Sequence, residues 1–158
     1  MFQIGDMIAH PMHGAGIIDS IEERCMNGDT CLYYVLKMPA GGMVIMIPTE
    51  SSDQIGVRPI VDPCRADELM ESIIHIDAEM TSNWNRRYRE NMQRIKSGDL
   101  FEVARVVKGL MTRDVEKGLS TGERKMLHSA KQIFISEIVL SKSITYEEVE
   151  SQLNESLV

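Results

Sequence analysis

Hydrophobic and polar positions change their period part of the way along the chain. Up to about residue 60, short runs rich in Ile, Val and Tyr are separated by Gly, Asn and Pro, which is typical of β-strands joined by tight turns. The runs are "GDMIAHP", "AGIIDSIEERC", "TCLYYVLKM", "GGMVIMIP" and "IGVRPIV". The pattern predicts a small, strongly bent antiparallel β barrel over residues 1–60.

Beyond this point the apolar positions recur at helical spacing. A first helix opens at Pro63, and a short acidic helix, "TYEEVESQLNESL", ends the chain. Between them the pattern predicts three longer helices, over about residues 83–97, 99–117 and 120–140. The fold class is therefore expected to be α+β, with the β barrel followed by an all-helical domain over residues 61–158.

Glycine and serine residues mark the ends of the predicted helices. Gly98 and Gly118 stand where helix C-termini favour a left-handed residue. Ser120 and Glu123 have the spacing of a capping box, which would begin the long helix.

Composition narrows the class of protein. The hydrophobic fraction of 43% and the charged fraction of 26% in 158 residues are typical of a folded globular chain. No run approaches the roughly 20 apolar residues of a membrane helix, and the N-terminus lacks a signal-peptide pattern. We therefore expect a cytoplasmic protein. Its net charge of -7 argues against binding nucleic acid by bulk attraction, although a local basic patch with a second anchor remains compatible with it.

The cysteines give no disulfide framework, because three thiols cannot all pair with one another. Cys25 and Cys31 flank "MNGDT", where Asn27-Gly28 is a hairpin-turn signal. A two-residue loop would place the two cysteines on opposite faces of the sheet, whereas a three-residue loop would place them on the same face. Reduced thiols are the expectation.

Metal and catalytic chemistry have little support in the sequence. His10 and His13 form an HxxH around Pro11, but no CxxC or HExxH accompanies them. "HGAGI" lacks the spacing and the following helix of a phosphate-binding loop, and no Ser/His/Asp or Cys/His arrangement indicates a nucleophile. We expect no enzyme activity, no metal and no cofactor.

The stretch "NWNRRYRENMQRIKSGD", residues 83–99, holds the only tryptophan, followed by Arg86, Arg87 and Arg89. At ~100° per residue, one side of this helix carries Trp84, Tyr88, Met92 and Ile95, and the opposite side carries Arg86, Arg89, Gln93 and Lys96. The simpler interpretation is an amphipathic helix whose aromatic side is core and whose basic side is solvated.

Two features favour a functional interpretation. Trp84 lies in the first turn, after the N-cap candidates at 81–83, where a side chain can project beyond the helical bundle. Arg124 and Lys125 lie at the start of the long helix, so that two helix N-termini with basic residues could line one phosphate-binding edge. An aromatic side chain beside such an edge is typical of proteins that insert a wedge into the DNA minor groove and distort it.

These residues resemble the CarD/CdnL family of bacterial transcription regulators over nearly the whole chain. "GDMIAHPMHGAGIIDSIEE", "YYVLKM", "MVIMIPTE" and "IGVRPI" are similar to the family's RNA-polymerase-interacting domain, a Tudor-like β barrel shared with the transcription-repair coupling factor. "NWNRRYRENMQRIKSGD" and "RDVEKGLSTGERKML" are similar to the two most recognisable blocks of its helical domain, in the same order and at matching separation.

The resemblance implies a regulator that binds the RNA polymerase β subunit through the barrel and places the helical domain at the upstream fork of the promoter bubble. Its tryptophan would wedge into the minor groove and stabilise the open complex, particularly at ribosomal RNA promoters, without reading sequence. On this chain the wedge is Trp84, and the DNA backbone contacts fall to Arg86, Arg89, Arg124 and Lys125. The resemblance also favours a monomer on polymerase, in the bacterial cytoplasm.

The resemblance also identifies polymerase-binding positions. An arginine late in the second strand of the family's barrel matches Arg24. A second arginine normally precedes the "VP" step, where this chain has Met46, so weakened or altered docking is expected.

Two other functions stay open at this stage. The first is a Tudor-like interaction module that binds polymerase, or another protein, without touching DNA. The second is an enzyme that uses the His and Cys residues, with a metal.

Overall fold

The computed structural model describes residues 1–39, 42–76 and 80–156. Its N-terminal part is one antiparallel sheet. Its strands are β1 (Met7–His10), β2 (Gly14–Met26), β3 (Asp29–Lys37), β4 (Val44–Pro48) and β5 (Arg58–Pro59), in the order β4-β3-β2-β1-β5. Each predicted run overlaps one of these strands. The short helix α1 (Ser52–Ile55) was not predicted, because a single turn is too short to show a helical period.

The long strand β2 bends the sheet around its own core. A bulge shifts the β2–β3 register between Ile18 and Ser20, which increases the local twist. Ile18, Tyr34 and Leu36 are almost fully buried inside this bend, together with Ile47 from β4. The sheet therefore encloses a hydrophobic core of its own.

The β2–β3 hairpin settles the arrangement of the two nearby cysteines. Asn27 and Gly28 have φ angles of 54° and 83° and form a two-residue loop, since Met26 pairs with Asp29. Cys25 then pairs with Thr30, and Cys31 with Arg24. Both cysteines are free and lie on opposite faces, so the two-residue alternative is confirmed.

The predicted helices are confirmed in number and order along the described chain. They are α2 (Pro63–Ser72), α3 (Trp84–Lys96), α4 (Leu100–Lys117), α5 (Thr121–Lys142) and α6 (Tyr146–Glu155), and a 3-10 turn (Ile73–His75) follows α2. Their buried side chains form a second core, which includes Leu69, Leu110, Phe134, Ile138 and Leu153. No helix in the ranges that the structure describes is both long and apolar enough to cross a membrane. The α+β fold class is thus confirmed.

Helices α2 to α6 each begin with a side-chain cap that their sequence favours. Asn83 Oδ1 accepts the backbone N–H of Arg86 at 3.0 Å at the start of α3. At the start of α5, Ser120 Oγ accepts the N–H of Glu123 at 3.2 Å, which confirms the serine half of the predicted capping box. The carboxylate of Glu123 instead pairs with Arg87. A complete box occurs at α6, between Thr145 and Glu148.

The C-terminal half of α5 packs against the sheet. Ser136 Oγ accepts the backbone N–H of Ala15, at the start of β2, at 2.9 Å. Next to it, Gly14 has a φ angle of 95°, and a Cβ there would lie 2.5 Å from Ser136 Oγ. Position 14 therefore requires glycine, because its φ angle lies in the left-handed region and because any side chain would clash with Ser136.

An ion pair also joins α5 to the last strand. The Glu137 carboxylate, 1% exposed, accepts both terminal guanidinium nitrogens of Arg58 at 2.8 and 2.9 Å, and the backbone N–H of Val61 at 2.9 Å. Arg58 Nε also donates to the carbonyl of Gly98 at 2.7 Å. These bonds fix the direction of α5 relative to the sheet.

Candidate nucleic-acid interface

The starts of α3 and α5 meet at the indole of Trp84. Its Nε1–H donates to Ser120 Oγ at 3.0 Å, across a separation of 36 residues. The ring stacks on Tyr88, with centroids 5.2 Å apart and planes inclined by 20°. Trp84 nevertheless keeps 42% of its surface exposed. An aromatic side chain thus lies open to solvent between two helix N-termini.

The predicted basic residues lie near these same helix starts, and Arg86, Arg89, Arg124 and Lys125 are all exposed. Arg86 forms an ion pair with Glu90 at 3.1 Å. Exposed pairs of this spacing stabilise a helix by only about 0.3–0.5 kcal/mol, so a phosphate can replace Glu90 at little cost. Over the described ranges, the other three cations form no ion pair within the chain.

The helix termini add to this positive charge. A helix N-terminus carries roughly half an elementary positive charge and unpaired backbone N–H groups, which favour a nearby anion. Asn83 and Ser120 each satisfy one such donor, at the starts of α3 and α5. The remaining donors and the exposed cations favour an anionic partner at this edge.

Arg87 has a structural role that was not predicted from the sequence. It is 2% exposed, and its Nε and Nη2 donate to the Glu123 carboxylate at 2.8 and 3.0 Å. The hydrogen bond from Arg87 holds the pKa of Glu123 below its usual value, and the same bond raises the pKa of Arg87. Nη1 also donates to the carbonyls of Thr81 and Ser82. This buried pair joins α3 to α5, and Ser120 links it to the exposed indole.

A signal for this burial was present in the spacing. Arg87, Asn91 and Ile95 are the buried residues of α3, at intervals of four. The aromatic stripe beside them had indicated the packing side correctly, since Tyr88 and Met92 contact the helical core. The sequence pattern was used to assign Arg86 and Arg89 to the basic side and left Arg87 unassigned, whereas its position on the buried stripe required a partner such as Glu123.

The predicted polymerase-binding residues share the outward face of the sheet. Arg24 pairs with Cys31, and Met46 pairs with Val35. Positions 31 and 35 of β3 point to the same side, because side chains alternate along a strand. Arg24 forms an exposed ion pair with Glu22 at 3.0 Å, and Met46 is 38% exposed on the edge strand β4.

The apolar part of this face is larger than predicted. Val44 lies beside Met46 on the outward side of β4 and is 53% exposed. Ile45 and Ile47 point the other way, toward the sheet core. The alternation in "VIMIP" contained the signal for Val44, because positions 44 and 46 must share a face.

The two histidines lie close together at the end of β1 and in the turn that follows it. The rings of His10 and His13 are 4.6 Å apart, and His10 Nδ1 accepts the backbone N–H of Met12 at 3.0 Å. Burial, and secondarily His13, lower the pKa of His10. Among residues 1–39, 42–76 and 80–156, no group of three or more His, Cys, Asp or Glu side chains is placed to hold a metal ion.

Both parts of the chain match models of one protein family. A model described as "CarD-like/TRCF RID domain" matches residues 2–61, and one described as "CarD, C-terminal domain" matches residues 68–154. The matched ranges contain the sheet and nearly all of the helices.

A full-length relative agrees with these matches. The chain is 40% identical over 151 residues, which is 96% of this chain and 99% of the relative, to a Bacillus subtilis (strain 168) protein, YdeB, whose name describes it as a candidate transcription factor. Similarity of this extent spans both the sheet and the helices. The chain therefore belongs to the CarD family of transcription factors.

Proposed function

We propose that this chain binds the β subunit of RNA polymerase through the outward face of its sheet and stabilises the promoter open complex with its helical part. The observation that carries the proposal is the half-exposed Trp84, held between two helix N-termini that carry four exposed basic side chains. In this proposal the indole wedges into the minor groove at the upstream fork. The backbone contacts come from Arg86, Arg89, Arg124 and Lys125.

The acidic composition is compatible with this action on DNA. A chain with a net charge of -7 gains little from long-range attraction to a polyanion. Once polymerase holds the sheet, however, the DNA contact becomes effectively intramolecular, at a local concentration that can reach the millimolar range. A small basic patch is then sufficient. We propose a monomer on polymerase, acting in the bacterial cytoplasm.

The energetics of the wedge are favourable at a fork. Unstacking a base step costs on the order of a few kcal/mol in duplex DNA, and less where the strands are already separating. A stabilisation of about 1.4 kcal/mol shifts the closed/open equilibrium tenfold. The proposed contacts are to phosphates and to a stacked step, so the protein acts without reading sequence. Ribosomal RNA promoters, as the resemblance implies, are the proposed targets.

Helix α5 connects the basic helix starts to the sheet that carries the proposed docking surface. Its N-terminus carries Arg124 and Lys125, while Glu137, about four turns further on, holds Arg58 of the sheet. By the rise of an α-helix, Ser120 and Glu137 lie roughly 25 Å apart along the helix axis. Docking of the sheet on polymerase would therefore also set the position of the wedge.

Site-specific crosslinking tests whether the helical part touches DNA. A photoreactive amino acid at Arg124 is expected to crosslink to promoter DNA at the upstream fork, and only when polymerase is present. The matched control is the same group at Glu71, an exposed position on α2 that, with Lys142, lines a groove beside the opposite end of α5. Crosslinks to polymerase but not to DNA from position 124 would instead support an interaction module without DNA contact.

The polymerase contact is tested by charge changes on the outward face of the sheet. Arg24→Glu is expected to weaken binding to the isolated β subunit severalfold, because it introduces a charge of the wrong sign at the proposed interface. Met46→Arg is expected to strengthen binding, since it restores the arginine that the resemblance implies. A pull-down titration measures both, with Lys96→Glu on α3 as the charge-reversal control. Unchanged affinity for both sheet variants would argue for a different docking surface.

A further inference from the structure

The hydroxyl of Ser120 lies where α3 meets the start of α5. It accepts the indole Nε1–H of Trp84 at 3.0 Å and the backbone N–H of Glu123 at 3.2 Å. Its own proton can reach Glu123 Oε1, 3.4 Å away. A hydroxyl offers one donor and two acceptor lone pairs, so these contacts use its whole hydrogen-bonding capacity.

The partners of Ser120 are themselves held in place. The Glu123 carboxylate accepts two hydrogen bonds from Arg87, and both residues are buried. The indole of Trp84 has Tyr88 stacked against one of its faces. The ring is thus fixed at its N–H and on one face, although much of its remaining surface is exposed.

The geometry points to Ser120 as a positioning residue that presets Trp84 for insertion into promoter DNA. This inference rests on the proposed function. Fixing a side chain before binding removes the ordering cost that association would otherwise carry. Because the N–H is the only polar donor of the indole, its bond to Ser120 leaves carbon surface for the base step. The indole is therefore already oriented before it meets DNA, and the surface that it offers to the base step is apolar.

Intrinsic fluorescence of the full-length chain tests the positioning step without DNA. Trp84 is the only tryptophan, so the emission reports on this side chain alone. Ser120→Ala is expected to shift the emission and to increase quenching by acrylamide, because the indole loses its anchor. Ser120→Thr keeps the hydroxyl and the cap, and is expected to behave like the wild type.

The loss of a helix cap must be separated from the loss of the indole contact. Thr145→Ala removes the equivalent capping side chain from α6, where no described contact reaches Trp84. This control is expected to match Ser120→Ala in its modest loss of stability, and the wild type in its fluorescence. Altered quenching in Ser120→Ala alone then identifies the contact with the indole.

Open-complex lifetime tests the functional step. With the whole polymerase and a ribosomal RNA promoter, Ser120→Ala is expected to shorten the lifetime given by the wild type roughly two- to tenfold, the scale of one hydrogen bond. Ser120→Thr is expected to restore it, and Thr145→Ala to leave it unchanged.

The outcomes distinguish this inference from the proposed function. Wild-type quenching in Ser120→Ala would overturn the positioning role. If Ser120→Ala alters the quenching but gives the wild-type open-complex lifetime, the position that Ser120 gives to Trp84 does not matter for the open complex, and the functional step of the inference is overturned. If the wild-type protein itself gives no longer lifetime than polymerase alone, the proposed function fails, and the quenching result still decides whether Ser120 orients Trp84.

Discussion

Replacing Arg87 by methionine is expected to lower the free energy of unfolding by about 3–5 kcal/mol, the usual consequence of leaving one member of a buried ion pair without its partner. Arg87 and Glu123 are 2% and 3% exposed, and two hydrogen bonds join them at 2.8 and 3.0 Å. Methionine fills much of the arginine volume but donates no hydrogen bond. The Glu123 carboxylate would then be buried with only weaker donors.

Urea unfolding of matched variants measures this loss. Arg86→Met changes the neighbouring arginine, whose ion pair with Glu90 is exposed, and is expected to change stability by less than about 1 kcal/mol. The double variant Arg87→Met/Glu123→Leu removes both buried charges and is expected to recover most of the loss. Equal, small losses for Arg86→Met and Arg87→Met would contradict the assignment of a buried structural pair.

The second large effect is expected from Trp84→Ala, which should abolish the lengthening of open-complex lifetime while leaving the protein folded and able to bind polymerase. The indole is partly exposed and lies at the first position of α3, so its removal leaves both hydrophobic cores in place. The proposed polymerase contact lies on the sheet, around Arg24 and Met46. Trp84→Ala should therefore keep polymerase binding and lose the effect on open-complex lifetime.

A control for Trp84→Ala comes from another exposed apolar side chain. Ile74→Ala removes a residue that is 60% exposed and lies next to α2, beyond the opposite end of α5. It is expected to leave both polymerase binding and open-complex lifetime unchanged. Loss of polymerase binding in Trp84→Ala would instead place the tryptophan in the docking surface.

Local patterns predicted most of the fold, because strand and helix periods and cap residues act over a few neighbouring positions. For example, Asn27-Gly28 marked the hairpin turn, and a two-residue loop there was enough to place Cys25 and Cys31 on opposite faces of the sheet. The end of α5 was less predictable. Its pattern predicted an end near residue 140, whereas the helix reaches Lys142, and Ser141 Oγ bonds to the carbonyl of Val61 from the last turns.

The candidate site was predictable only in part, for the same physical reason. Trp84 and Arg124 could be assigned to helix starts, because caps and periodicity are local. The contacts that assemble the site are not local. The Trp84–Ser120 and Arg87–Glu123 bonds each span 36 residues, and Arg58 reaches Glu137 across 79. No pattern within one helix contains such pairs, so Glu123 was predicted only as a capping residue and Glu137 was not predicted to have a partner.

The most direct test of wedge-based promoter stabilisation is the lifetime of the open complex on a ribosomal RNA promoter, with polymerase from the same bacterium. Dissociation after a competitor challenge is followed without added protein, with the wild type and with Trp84→Ala. A lifetime that the wild type lengthens, and that falls back to the value of polymerase alone with Trp84→Ala, is the predicted result. Equal lifetimes with the wild type and Trp84→Ala would contradict the wedge, and no lengthening by the wild type would leave only a polymerase-binding module.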